Sequence, residues 1–153
     1  MANQSNPVDK FNFLLGKWKL IYKVPKSSFS NEDEGEGSGE FKRILNNRYV
    51  TFDYSAKLHA GEGSAHAIFA WDEKANIYRY WWFEDSGSFM TASCSFINDD
   101  TLCLNWHDSV LVQTFKRETD DRIILKMSYP NNDNSYELIL EVSLKKIIEP
   151  VNK

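Results

Sequence analysis

The sequence predicts an all-β protein: a closed up-and-down antiparallel barrel of about ten strands with a short N-terminal helical cap. Three observations carry this. Behind the triplet Gly16-Lys17-Trp18 the side chains alternate, with Leu20, Tyr22 and Val24 on the side of Trp18 and Lys17, Lys19 and Lys23 on the other. A period of two with lysines on one side describes a strand with one wet and one buried face. Turn residues then recur about every twelve residues, the rhythm of consecutive hairpins. Helical periodicity is confined to residues 8–15, where Phe11, Leu14 and Leu15 sit at i, i+3 and i+4, as an amphipathic cap requires.

After the first strand, Pro25 and the polar run from Ser27 to Glu34 form a loop. Strands follow near 35–45, 48–60, 63–72, 76–84, 88–97, 101–107, 110–117, 121–129 and 135–147. The breaks between them are rich in Asn, Asp, Gly, Ser and Pro, from Asn46-Asn47 to the stretch Pro130 to Asn134. A tight turn at Gly61-Glu62 sets Leu58, Ala56, Tyr54 and Phe52 opposite Ala65, Ala67, Phe69 and Trp71, one apolar face, and leaves Asp53, Lys57, His59 and His66 outside. The turn at Asp85-Ser86-Gly87 sets Tyr78, Tyr80 and Trp82 against Cys94, Ala92 and Met90. Phe96 and Cys94 then face Leu102 and Leu104, with Trp106 continuing the row. The later strands add Val110, Val112, Thr114, Ile123, Leu125, Met127 and Tyr129 to the inside, and the last adds Tyr136, Leu138, Leu140, Val142 and Leu144.

The chain reads as one domain over 1–153 with its ordered core at 8–147. Its 22 aromatic residues (ten Phe, seven Tyr, five Trp) serve either as core filler or as the lining of a cavity. A net charge of −4 without a basic stripe argues against a nucleic-acid surface. No apolar run approaches the ~20 residues that span a bilayer. The polar start from Met1 to Pro7 does not read as a signal peptide. Cys94 and Cys103 fall on opposite faces and form no CxxC pair, so a reduced, cytoplasmic setting is expected.

Several stretches carry a resemblance. Phe13-Leu14-Leu15-Gly16-Lys17-Trp18, the Leu45-Asn46-Asn47-Arg48 turn, Ala70-Trp71-Asp72, Asp85-Ser86-Gly87 and the run from Asn98 to Leu104 together resemble the calycin superfamily, which includes lipocalins and fatty-acid-binding proteins. The chain is most similar to an uncharacterised family of calycin-like domains of unknown function. The resemblance implies a barrel closed at one end, with Gly16 and Trp18 at the floor and a cation from the last strand over the indole. Lys146, inward in parity like Leu144, is the candidate, at about 0.5–2 kcal/mol; lipocalins place Arg there. Nitrobindin-like haem barrels are similar in length and in the Gly-x-Trp triplet, but their ligand histidine lies near the C-terminus, where this chain has none after His107.

Inside the barrel, Phe52, Tyr54, Phe69, Tyr80, Trp82, Met127 and Tyr129 are the candidate ligand-binding wall, and no cofactor is called for. Arg48 shares parity with Val50 and Phe52, and Arg43 with Phe41. Either guanidinium would hold a carboxylate or phosphate head group, or else serve as a rim arginine bonded to loop carbonyls. His59 and His66 lie diagonally on the outer face near Asp53, too few ligands for a zinc site. The run Gly35-Glu36-Gly37-Ser38-Gly39 lacks the Lys-Ser/Thr ending of a phosphate loop and reads as a strand start. Trp81, Phe83 and Phe89 project outward beside Arg79, a candidate homodimer face. The leading expectation is a container for a small hydrophobic or amphipathic molecule, without catalysis. Its rivals are a cofactor-free enzyme, which needs Asp53, His59 and His66 turned inward, a nitrobindin-like haem barrel, and a filled barrel serving only as an interaction domain.

Overall fold

A computed structural model describes residues 6–148. A 3-10 helix (Pro7–Leu14) precedes ten strands: β1 (Gly16–Val24), β2 (Asp33–Ile44), β3 (Tyr49–Leu58), β4 (Gly61–Asp72), β5 (Ile77–Glu84), β6 (Phe89–Asn98), β7 (Thr101–Trp106), β8 (Val112–Thr119), β9 (Arg122–Pro130) and β10 (Tyr136–Lys146). Every strand pairs antiparallel with its sequence neighbours, and β1 also pairs with β10, so the sheet closes as the expected barrel. Closure leaves no free sheet edge. No helix among the described residues is long and apolar enough to cross a membrane.

The eight-residue helix has 3-10 geometry and a capped N-terminus. The Asn6 side chain accepts from the Val8 N–H, and Pro7 opens the first turn. Three residues per turn align Val8, Phe11 and Leu14, all buried, as a plug in one end of the barrel. The Phe11 ring packs against Phe69 at 4.9 Å, Tyr78 at 5.1 Å and Phe96 at 5.5 Å. Two hydrogen bonds from the barrel interior help fasten the plug. The Tyr78 hydroxyl donates to the Pro7 carbonyl at 2.8 Å, and the Trp18 indole N–H donates to the Leu14 carbonyl at 2.6 Å. Trp18 is fully buried and faces Lys146 across β1 and β10, with the ammonium 5.6 Å from the ring, as the resemblance implied.

The hairpins from β5 to β7 have the expected registers, Tyr80 with Ala92 and Cys94 with Leu104. The β3–β4 hairpin differs. Its turn is His59-Ala60, so Leu58 pairs with Gly61 and Tyr54 meets Ala65 instead of Phe69. Asp33 of β2 decides this, because its carboxylate accepts from the backbone N–H groups of His59 and Ala60 at 3.1 and 3.0 Å. The slip is even, and an even slip keeps every side chain on its face.

On β8 the expected faces are exchanged. Gln113 and Phe115 are buried, Val112 and Thr114 take the other side, and Val110 is 59% exposed ahead of the strand. Pairing of Leu104 with Gln113 and Leu102 with Phe115 fixes that choice. β-branched residues favour a strand without saying which way it faces. On β10 a bulge between Leu138 and Leu140 interrupts the row, leaving Leu138 and Tyr136 exposed rather than inside.

Candidate functional site

The barrel is filled at the helix end and hollow at the other. The filled half is an aromatic and aliphatic stack of Phe11, Trp18, Phe41, Phe69, Leu102 and Phe115. Above it lies a cavity of about 400 Å³, within the range of small-molecule sites. Its rim is formed by Leu58 and Gly61 of the β3–β4 hairpin and by Glu84 at the end of β5.

Alternation on β3 builds one wall. Phe52, Tyr54, Ala56 and Leu58 all line the cavity, while Asp53, Lys57 and His59 stand exposed on the outer face. The Phe52 ring stacks on Phe41 at 3.8 Å with planes 3° apart, and on Tyr54 at 4.5 Å. Tyr80 and Trp82 of β5 face this wall, and Met127 of β9 closes the far side. Tyr80 meets Trp106 edge-on at 5.4 Å.

The polar groups of the wall are few and neutral, apart from Glu84, whose carboxylate accepts from the Ser86 hydroxyl at 2.6 Å. Tyr54 accepts a 2.8 Å hydrogen bond from the Trp82 indole N–H. Burial lifts the phenol pKa of Tyr54, and the Trp82 hydrogen bond opposes it only in part. Burial also carries Tyr22 and Tyr80 well above the ordinary tyrosine value, with the Tyr54 charge adding in each case. All three hydroxyls therefore stay protonated and able to donate at physiological pH. Gln113 is 6% exposed, lines the cavity, and makes no side-chain hydrogen bond to any described residue.

Of the wall expected from the sequence, Phe52, Tyr54, Tyr80, Trp82 and Met127 line the cavity. Phe69 lies below it in the filled half, 6.3–6.4 Å from the rings of Phe41 and Phe115. Tyr129 does not line it, because its ring packs at 4.7 Å on Phe29 of the β1–β2 loop. Both arginines stand at the helix end, away from the hollow. The Arg43 guanidinium donates to Asp9, Asn12 and the Asn47 carbonyl at 2.6, 2.9 and 2.7 Å, so it ties the helix to the β2–β3 turn. Arg48 is exposed within that turn.

The histidines are also outside. His66 pairs with Asp53 across the hairpin at 2.5 Å, His59 meets Asp33 at 3.1 Å, and exposed His107 lies 2.7 Å from the Thr91 hydroxyl. Among the described residues no group of three or more His, Cys, Asp or Glu side chains is placed to hold a metal. Phe83 and Phe89 are 44% and 70% exposed with rings 6.5 Å apart, and Trp81 beside them is half-buried. Sequence reasoning missed Gln113 and Glu84 as parts of the wall, and Trp106, placed in the inward row, was not named among the ligand-binding residues. For Gln113 the available signal was the β7 row: extending Leu102 and Leu104 across the next turn brings Phe115 and Gln113 inside.

No protein-family model matches the chain, and no curated protein does. Among solved structures it is similar to Rv2717c from M. tuberculosis, with a TM-score of 0.64 and 11% identity over 95% of this chain and 100% of that one. It is also similar to the S-type phycobiliprotein lyase CPES from Guillardia theta, with a TM-score of 0.55 and 7% identity over 97% of this chain and 100% of that one. At these identities the likeness is one of fold: the chain shares a β-barrel architecture with both.

Proposed function

We propose that this barrel, calycin-like in its Gly-x-Trp floor and its cation over the indole, takes up a small, largely apolar molecule and releases it unchanged. The observation that carries this is the aromatic hollow of about 400 Å³ above a tightly packed floor. A closed sheet could have filled its interior with side chains; this one does so only in the half next to the helix. Apolar ligand surface withdrawn from water would contribute roughly 25 cal/mol per Å². The hydroxyls of Tyr22, Tyr54 and Tyr80 are available to orient a polar end.

A cofactor-free enzyme would need proton-shuttling groups inside, and Asp53, His59 and His66, the residues that reading called for, stand on the outer face. A merely structural, filled barrel is opposed by the hollow itself. The reduced, cytoplasmic setting belongs to the same proposal and suits two free cysteines, one buried and one half-buried.

Titration with Nile red tests the reading. Its emission should rise and saturate at one equivalent, and Ala65→Phe, which places a ring in the hollow, should abolish the rise while thermal unfolding stays cooperative. Equal emission from both proteins would refute uptake into the cavity.

A further inference from the structure

We infer that the cavity selects an uncharged ligand presenting a hydrogen-bond donor and acceptor side by side, an amide or lactam, and that the Gln113 carboxamide reads it. This rests on the proposed uptake of a small molecule and deepens it.

Three observations converge. Gln113 is buried, and its strand partners across the ladder are Leu104 and Met127, which offer it nothing polar. Two residues away on either side, Leu111 and Phe115 also line the cavity and are equally mute. A carboxamide carries an acceptor oxygen and two donor hydrogens, and a buried one left without partners is unfavourable. In the empty barrel water can satisfy it, and a ligand that displaces that water must reproduce its bonds or lose affinity. A second planar amide does so with one bond in each direction.

The third observation concerns charge. Among the described residues, no Lys, Arg or His lines the cavity, and Glu84 is the one carboxylate that does. An anionic head group would enter a space of neutral walls with a carboxylate at the rim. Neither Arg43, bound to the helix, nor exposed Arg48 is available to neutralise it. A desolvated anion without a counter-charge is disfavoured far more than a neutral amide. The hollow is therefore built against fatty-acid-like carboxylates.

Displacement of Nile red at neutral pH by three compounds sharing one ring system, naphthalene, 2-naphthamide and 2-naphthoate, tests the inference. The amide should displace the dye at concentrations about tenfold or more below the carboxylate, a difference of ~1.4 kcal/mol or more. In Gln113→Leu the advantage of the amide over naphthalene, both measured on that variant, should disappear. Gln113→Met gives a second apolar replacement of nearly the same length should the leucine variant unfold. Naphthoate binding as well as naphthamide would overturn the inference and leave uptake intact. So would an amide advantage that survives in both variants, or tightest binding by the cation 2-naphthylmethylammonium, which would put Glu84 in charge of selection. If Nile red never enters the barrel, uptake and selection fall together.

Discussion

Across the hollow half of the barrel, the Trp82 indole N–H donates to the Tyr54 hydroxyl at 2.8 Å, joining two strands that are not neighbours in the sheet. β4 lies between them, and at that level it contributes only the small side chains of Ala65 and Ala67. The bond spans the gap those alanines leave. Tyr54→Phe strands the indole donor in a half-buried site and should lower stability by about 1–2 kcal/mol. Trp82→Phe should then lose less in the Tyr54→Phe background than in the wild type. Urea unfolding of the four proteins in this double-mutant cycle measures the coupling, and strict additivity would mean the bond contributes nothing.

Glycines on β2 are demanded by the approach of β3. A Cβ at Gly39 would lie 2.5 Å from the Phe52 ring, 2.6 Å from the Tyr54 Cβ and 2.9 Å from the Asp53 carbonyl. Phe52 is restrained, because its ring is stacked on both Phe41 and Tyr54. Gly39→Ala should therefore destabilise by about 2–4 kcal/mol as an overpacked core site. At Gly61, which opens β4, nothing lies within 4 Å and only a φ of +153° opposes a side chain, so Gly61→Ala should cost about 1 kcal/mol. Denaturation midpoints that rank the two the other way would show that β2 and β3 relax apart.

Parity made most of this interior legible, and height along the barrel did not. Alternation placed Phe52, Tyr54, Tyr80 and Trp82 inside correctly, since one buried face forbids an odd slip. The same parity was read for Arg43 and Arg48, yet parity says nothing about depth, and both lie at the plugged end. The true β3–β4 turn depended on Asp33, which is remote in sequence from His59 and supplies a carboxylate that no local pattern announces. Gln113 broke an apolar row and looked like a solvent-facing residue. Its neighbours Val112 and Thr114 looked more like core, and the register with β7 reversed both impressions. Tyr129 had the right parity, but Phe29 in the preceding loop holds its ring.

The Asp33 carboxylate gives the hairpin a pH dependence. Partial burial pushes its pKa up, but the backbone donors of Ala60, Glu34 and His59 outweigh this, and the folded value lies below that of an ordinary aspartate. A lowered folded pKa contributes stability that is complete above the unfolded value and fades as pH falls through the folded one. Wild type should thus exceed Asp33→Asn in stability at neutral pH. The difference should narrow as the pH drops below ~3.9. Asp72, Asp133 and Glu137 are also held low, by Arg79, Ser135 and Ser28 respectively, so the whole protein weakens in acid. Subtracting the variant isolates the Asp33 share, and a pH-independent difference would assign its effect to something other than the carboxylate charge.

Trp18 holds the floor in two ways that separate experimentally. Its N–H anchors the last carbonyl of the plugging helix, and its ring lies under Lys146, whose Cε would touch a Cβ built on Gly16 at 3.2 Å. The lysine is exposed, so its cation–π contact is expected to contribute only about 0.5–1 kcal/mol. Lys146→Met keeps the covering stem and should lose that amount alone, whereas Lys146→Arg should keep it. Trp18→Phe removes the anchoring donor and leaves a void in a fully buried site, and should lose about 3 kcal/mol or more. The helix should also detach before the sheet unfolds in that variant. Hydrogen exchange would show this as faster exchange at Phe11 and Leu14 with the β5–β7 amides still protected; simultaneous loss of protection would mean that plug and barrel form a single cooperative unit.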